Sequence, residues 1–270
     1  WALLAIIVVF IWLVGKDYSL AFHPTMQLPD NLERWLANLF MIYPNFEPVS
    51  YPVRLAPATW ALTIELAFYL AIGLGISKSK QLTTMWFLLS LSWVLWTNFS
   101  LSQWGIGYGD IFVASLPFSL GALVYHYKPI VNDIINKVGI VPILAMFTIN
   151  ILIVVVSHYL WSEKFWFFNA MGTWFNLALS GLMTILLLEH GRKYLAKRTD
   201  RFLGDLSYPV YIFHWSGASL ASWMISPNDN KIWIFCLGLF LTILVSIIVN
   251  KYVNDNVEKL RNIIRPKNTK

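Results

Sequence analysis

Two ionisable side chains lie deep inside apolar sequence, and they are where chemistry would be sought first. Glu65 sits near the middle of the apolar run 57–76, and His214 near the middle of 203–225. An ionised group at the centre of a bilayer costs roughly 2.5–3.5 kcal/mol on insertion scales, so it needs a partner or a purpose. A carboxyl and an imidazole are also the groups best suited to holding and passing protons near neutral pH. At helical spacing Leu62, Glu65 and Tyr69 share one face, and Ser207, Tyr211 and His214 share another. An antiparallel pair of helices can bring Glu65 and His214 together. The alternatives are structural: a protonated glutamate bonded to a neighbouring helix, and a neutral histidine satisfied by a tyrosine or a carbonyl.

The elements expected to position these groups are helices. Apolar stretches lie at 1–14, 57–76, 81–98, 105–126, 138–157, 166–188, 203–225 and 231–250. Most reach the length of about 17–25 residues that a membrane helix needs, so we expect an all-α polytopic membrane protein with about eight transmembrane helices. Residues 1–250 would form the membrane domain and 251–270 a cytoplasmic tail. The long connection 15–56 contains Leu32, Trp35, Leu36, Leu39 and Phe40 at helical spacing. That stripe suits a helix lying in the membrane interface, or equally one packed on the bundle. Trp86, Trp96, Trp104, Trp161 and Trp166 lie near expected helix ends and read as an interfacial belt.

Composition supports this class. Apolar residues make up 57% of the chain and charged residues only 13%, against about 25% charged in an average soluble protein. The mean hydropathy is +0.59. Disorder and a disulfide scaffold are excluded, since Cys236 is the only cysteine. The net charge of +6 reflects placement: the connections 77–80, 127–137 and 190–201 and the tail hold 15 of the 20 basic residues. By the positive-inside rule those segments and the C-terminus are cytoplasmic, with 15–56 outside. A nucleic-acid partner is therefore not expected. The cluster Arg192, Lys193, Arg198 and Arg201 is first a topology signal, though the phosphates of CoA would also be attracted to it. No P-loop, H-E-x-x-H, G-x-S-x-G or cysteine pair for zinc occurs, so no metal site is expected.

Around Glu65 and His214 the chain resembles a known family. TWALTIELAFYL (59–70) is similar to the W-S-L-[SA]-x-E-x-x-F-Y element of the membrane acyltransferase 3 family. RFLGDLSYPVYIFHW (201–215) is similar to that family's late F-L-G-x-x-S-Y-x-x-Y-L-x-H helix. Trp60, Leu62, Thr63, Glu65, Phe68 and Tyr69 occupy the first motif, and Gly204, Ser207, Tyr208, Tyr211 and His214 the second. Leu66 stands where many members carry a second glutamate, which argues against a paired-carboxylate mechanism. The family also places an Arg or His eleven positions before a catalytic histidine in its first helix, and no histidine here has that neighbour. With the start at Trp1, this leads us to expect a fragment that lacks the family's first two helices.

The resemblance implies transfer of an acyl group, usually acetyl, from acyl-CoA to a hydroxyl of a cell-surface glycan at the plasma (inner) membrane. Acyl-CoA would be a co-substrate, and no resident cofactor is implied. A base would deprotonate the hydroxyl, which attacks the thioester, while hydrogen-bond donors stabilise the oxyanion. The base is expected in the absent N-terminal helix. Glu65 and His214 would be catalytic, Glu65 orienting the base or holding a proton, while Trp60, Thr63, Tyr69, Ser207, Tyr208 and Tyr211, with His214, would line the acyl or acceptor channel. A transporter or flippase of a glycan precursor would use the same buried polar groups for passage or proton coupling. A non-catalytic scaffold would leave Glu65 and His214 unexplained.

Overall fold

The computed structural model describes residues 1–100, 109–135, 140–159, 172, 174–186, 196–225, 231–254, 256, 257 and 261. Among them the chain is helical, with no strand. The helices are α1 (Ala2–Val14), α2 (Lys16–Phe22), α3 (Leu32–Phe40), α4 (Trp60–Gly73), α5 (Lys80–Ser100), α6 (Ile111–Ile135) and α7 (Ile140–Tyr159). They are followed by α8 (Trp174–Leu186), α9 (Lys197–Met224) and α10 (Lys231–Val249), the last running on into a π turn at Asn250–Asn254.

The all-helical expectation holds, but the expectation of about eight transmembrane helices is wrong. Among the described residues only Lys231–Val253, 23 residues long, is apolar and long enough to cross a membrane. A second is added only if α1 and α2, bent by 112° at their junction, count as one span. The apolar runs in the sequence are longer than the apolar helices within them. Gly15, at φ 88°, separates α1 from α2. The run 57–76 begins with a 3-10 turn at Pro57–Thr59, and α4 itself has 14 residues. Helix α5 has 21 residues but opens on Lys80, Gln81, Thr83 and Thr84, and α9 opens on Lys197, Arg198, Asp200 and Arg201. The apolar parts of α6 and α7 are confined to Ile111–Tyr127 and Val141–Ile153. A single-pass helix needs about 20 apolar residues, and these fall short.

The chain divides into two compact units. The first comprises Trp1–Asn45, Ser50–Thr63 and Arg198–Lys270. Its core joins Leu3, Leu4, Ile7, Phe10 and Ile11 of α1 to Met26, Leu55 and Ala56 of the long connection, Ile212 and Phe213 of α9 and Val249 of α10. Helices α9 and α10 approach closely because their contact is built from small residues. A Cβ at Gly217 would overlap the Thr242 hydroxyl, and one at Gly238 would reach Ala218 Cα at 3.0 Å. The second unit comprises Phe46–Val49 and Ile64–Lys197. There Val94 of α5 packs on Val113 and Leu116 of α6. Trp86 Nε1 donates to Ser115 Oγ at 2.8 Å, and Ser90 and Ser115 hydroxyls meet at 2.8 Å. Trp86 is therefore a core residue, only 6% exposed, while Trp96 is exposed. Trp104, Trp161 and Trp166 lie outside the described residues.

The helix expected within 31–43 forms over Leu32–Phe40 and is capped by Asn31, whose Oδ1 accepts the Arg34 N–H at 2.9 Å. Its apolar residues Leu32, Leu36, Leu39 and Phe40 are exposed, while Asn38 is buried. Asn38 organises the outer segment. Its Nδ2 donates to the carbonyls of Arg34 (2.9 Å) and Val53 (3.0 Å). Its Oδ1 accepts the Leu55 N–H at 2.8 Å and faces the Tyr43 hydroxyl at 3.3 Å. Removing it leaves buried backbone groups of residues 53 and 55 unpaired, at about 1–3 kcal/mol each. We predict that Asn38→Ala destabilises the protein by roughly 2–4 kcal/mol, read from thermal or denaturant unfolding of the purified protein. A loss below about 0.5 kcal/mol, ordinary for a surface change, would contradict this role.

Candidate functional site

The chemistry-bearing side chains of the first unit gather around Trp215 on α9. The His23 ring stands edge-on to the Trp215 indole with centroids 4.7 Å apart, and the His214 ring lies 5.9 Å from it. Tyr211, one turn before, has its ring 6.1 Å from His214. Its hydroxyl donates to the Ala58 carbonyl at 2.7 Å, which fastens α9 to the turn before α4. Helical spacing makes Tyr211 and His214 neighbours. His23 is delivered separately, as the extended residue that caps the short helix α2.

Local hydrogen bonds assign the two imidazoles opposite roles. His214 Nδ1 lies 2.8 Å from the Tyr211 carbonyl. A carbonyl only accepts, so Nδ1 carries the proton, and in the neutral ring Nε2 is left as a lone pair. His214 is exposed. At His23 the arrangement is reversed. The Thr25 backbone N–H points at Nδ1 at 3.2 Å, and the Thr25 hydroxyl lies 3.0 Å from the same nitrogen. An N–H only donates, so Nδ1 is the acceptor and Nε2 carries the proton. One ring thus offers a base, the other a neutral N–H donor.

Arg54 is the charged group behind His23. It is 3% exposed, its backbone N–H donates to the Thr25 carbonyl at 2.8 Å, and its Nη1 donates to the Tyr51 carbonyl at 3.3 Å. Burial lowers the Arg54 pKa, and neighbouring Tyr43 opposes that shift. Burial also pushes the Tyr43 phenol up to about 12, so it stays neutral, a hydrogen-bond partner only. His23 is held below its ordinary 6.5, first by burial and then by the Arg54 guanidinium. Both effects disfavour the imidazolium and keep His23 in its neutral form.

No family model, no curated protein and no solved structure matches this chain.

The remaining expected site residues are distributed as follows. Thr63 is buried and fully used: its hydroxyl donates to the Met41 carbonyl at 3.0 Å and accepts the Tyr43 N–H at 3.1 Å. That pair clamps the end of α3, where Met41 adopts φ 55°. Tyr208 is half-exposed and donates to Met41 Sδ at 3.6 Å. Trp60 packs beside Ala37, Tyr43, Tyr51 and Val53. Ser207 is exposed and donates back to the Gly204 carbonyl at 2.7 Å. Glu65 and Tyr69 belong to the second unit. Glu65 is half-buried with no hydrogen-bond or ion-pair partner among the described residues, and Tyr69 is 60% exposed. Arg198 and Arg201 are exposed on the first turns of α9, while Arg192 and Lys193 lie outside the described residues. No group of His, Cys, Asp or Glu among the described residues is arranged to hold a metal ion.

Sequence reasoning missed His23, Arg54 and Trp215. The available signal was a histidine followed by proline at the end of α2, and one arginine flanked by Val53, Leu55 and Ala56. Because the folded chain resists protonating His23, the unfolded chain takes up that proton first as pH falls. The contribution of His23 to stability is whole above pH 6.5 and declines as pH drops below it. We predict that His23→Asn, which can still accept the Thr25 N–H, loses less stability than the native protein between pH 7 and pH 5. Equal losses in pH-dependent melts would contradict that assignment.

Proposed function

We propose that this protein is a membrane-anchored O-acyltransferase that moves an acyl group, acetyl in the simplest case, from acyl-CoA to a hydroxyl of a glycan or similar acceptor. The observation that carries the reading is the exposed His214 ring, whose Nδ1–H is engaged by the Tyr211 carbonyl and whose Nε2 is left as a base. The resemblance of 59–70 and 201–215 to acyltransferase 3 elements supplies the reaction class. Lys231–Val253 is the proposed anchor, in the plasma (inner) membrane.

In this mechanism the acceptor hydroxyl gives its proton to His214 Nε2 as its oxygen attacks the thioester carbonyl. The C–O bond forms, the carbonyl oxygen becomes an oxyanion, and N–H donors stabilise it. His23 Nε2–H is one such donor, neutral and held in place by Thr25. Collapse breaks the C–S bond, and the imidazolium of His214 returns the proton to the departing CoA thiolate. Tyr211 positions His214, and the exposed Arg198 and Arg201 attract the CoA phosphates.

The test is turnover by the membrane-embedded protein given acetyl-CoA and a glycan with free hydroxyls. CoA thiol and an ester-bearing glycan should appear together. His214→Ala should lower kcat by roughly 10²- to 10⁴-fold, the range for loss of a general base, with helix content and melting unchanged. Normal turnover by His214→Ala would remove it as the base. Glycan crossing a vesicle membrane with no thiol released would replace the enzyme by a transporter.

A further inference from the structure

Helices α6 and α8 of the second unit border a half-open cavity of about 450 Å³, within the range of roughly 300–1,000 Å³ typical of small-molecule sites. Leu120 and Val124 on α6 and Leu177 on α8 provide its apolar walls. Two glycines make the room. A Cβ at Gly121 would meet nothing within 4 Å, so this position borders open space, whereas one at Gly181 would press on Leu120 Cδ2 at 3.1 Å.

The serine and threonine hydroxyls of the wall are already engaged. The Ser180 hydroxyl takes the Asn150 Nδ2–H at 2.8 Å, and the Thr184 hydroxyl donates to the Ser180 carbonyl at 2.8 Å. What the cavity offers is mainly apolar contact, with little to reward a polar guest. The lining follows α6 from Pro117 to Tyr125, two turns of helix. Such a slot fits an extended chain better than a compact ring. Cations lie near the Tyr125 end of the slot. Lys80 Nζ sits 5.4 Å over the Tyr127 ring, and His126 Nε2 donates to the Ser77 carbonyl at 2.8 Å, which ties the turn bearing Lys78 and Lys80 to this end.

We propose that this cavity binds a single unbranched alkyl chain, that of a fatty-acyl amphiphile whose anionic head lies towards Lys78 and Lys80. Two sources share this chemistry: a fatty acyl-CoA, which rests on the acyltransferase reading above, and an anionic membrane phospholipid, which does not.

Binding is measured on the full chain in amphipol, titrated with a fluorescent polyene fatty acid and then with unlabelled competitors. Saturable binding should be displaced by octanoyl-CoA and not by CoA or acetyl-CoA. Gly121→Phe and, independently, Val124→Phe fill the slot and should each weaken binding at least tenfold while helix content and melting stay native. Displacement by dioctanoyl phosphatidylglycerol but not by octanoyl-CoA supports the alkyl site and assigns it to a lipid, whether or not the protein turns over acetyl-CoA. Absence of saturable binding, or native affinity in both well-folded variants, overturns the proposal.

Discussion

The outer part of the first unit depends on satisfying backbone polar groups that have no helix or sheet to pair with. Residues 53–55 run through a buried region without helix or strand, and Asn38 is the side chain that pairs them. A primary amide suits the place because it donates and accepts at once. Its burial explains why α3 is turned as it is: the amide faces inward, and the leucines and Phe40 are left outside. Tyr43 and Thr59 extend the same network. The Thr59 hydroxyl donates to the Ala56 carbonyl at 2.7 Å, so the Tyr43 hydroxyl is the donor in their 2.6 Å contact. Thr63 then anchors the left-handed turn at Met41 that ends α3. Such a turn in a non-glycine residue costs about 1–2 kcal/mol, which these bonds offset.

That frame also determines the chemistry available at Trp215. The segment held by Asn38 carries Arg54, and the Arg54 N–H holds Thr25, whose own N–H sets the His23 tautomer. On α9 the matching choice is made by one carbonyl a turn earlier. Two histidines of identical intrinsic chemistry thereby present an N–H and a lone pair. Tyr18 adds a further tie, its hydroxyl donating to the Ser219 carbonyl at 3.1 Å. The second unit is held differently, by serine hydroxyls between α5 and α6 and by stacked rings such as Phe68 on Phe118 at 4.6 Å.

The helical class, α3 and α10 were legible in the sequence because each depends on local periodicity and apolar content. Helix lengths were not. An apolar run shows where water is avoided, but Gly15, the 3-10 turn before Trp60 and the polar openings of α5 and α9 decide how much of each run is continuous apolar helix. Trp86 was read as an interfacial residue from its place near a helix end. Its indole N–H instead found Ser115, 29 positions away, and the ring went into the core.

Among the candidate site residues, sequence alone determined the pairing of Tyr211 with His214, since helical geometry makes residues three apart neighbours whatever the tertiary structure. It also determined that Glu65 and His214 lie within apolar stretches of sequence. Tertiary structure decided the rest. It gave Thr63 a clamping role, brought His23 to Trp215 from 192 positions away along the chain, and buried Arg54 behind them. None of this leaves a periodic trace. A tautomer, a buried cation or a satisfied hydroxyl depends on partners distant in sequence, and only packing chooses those partners.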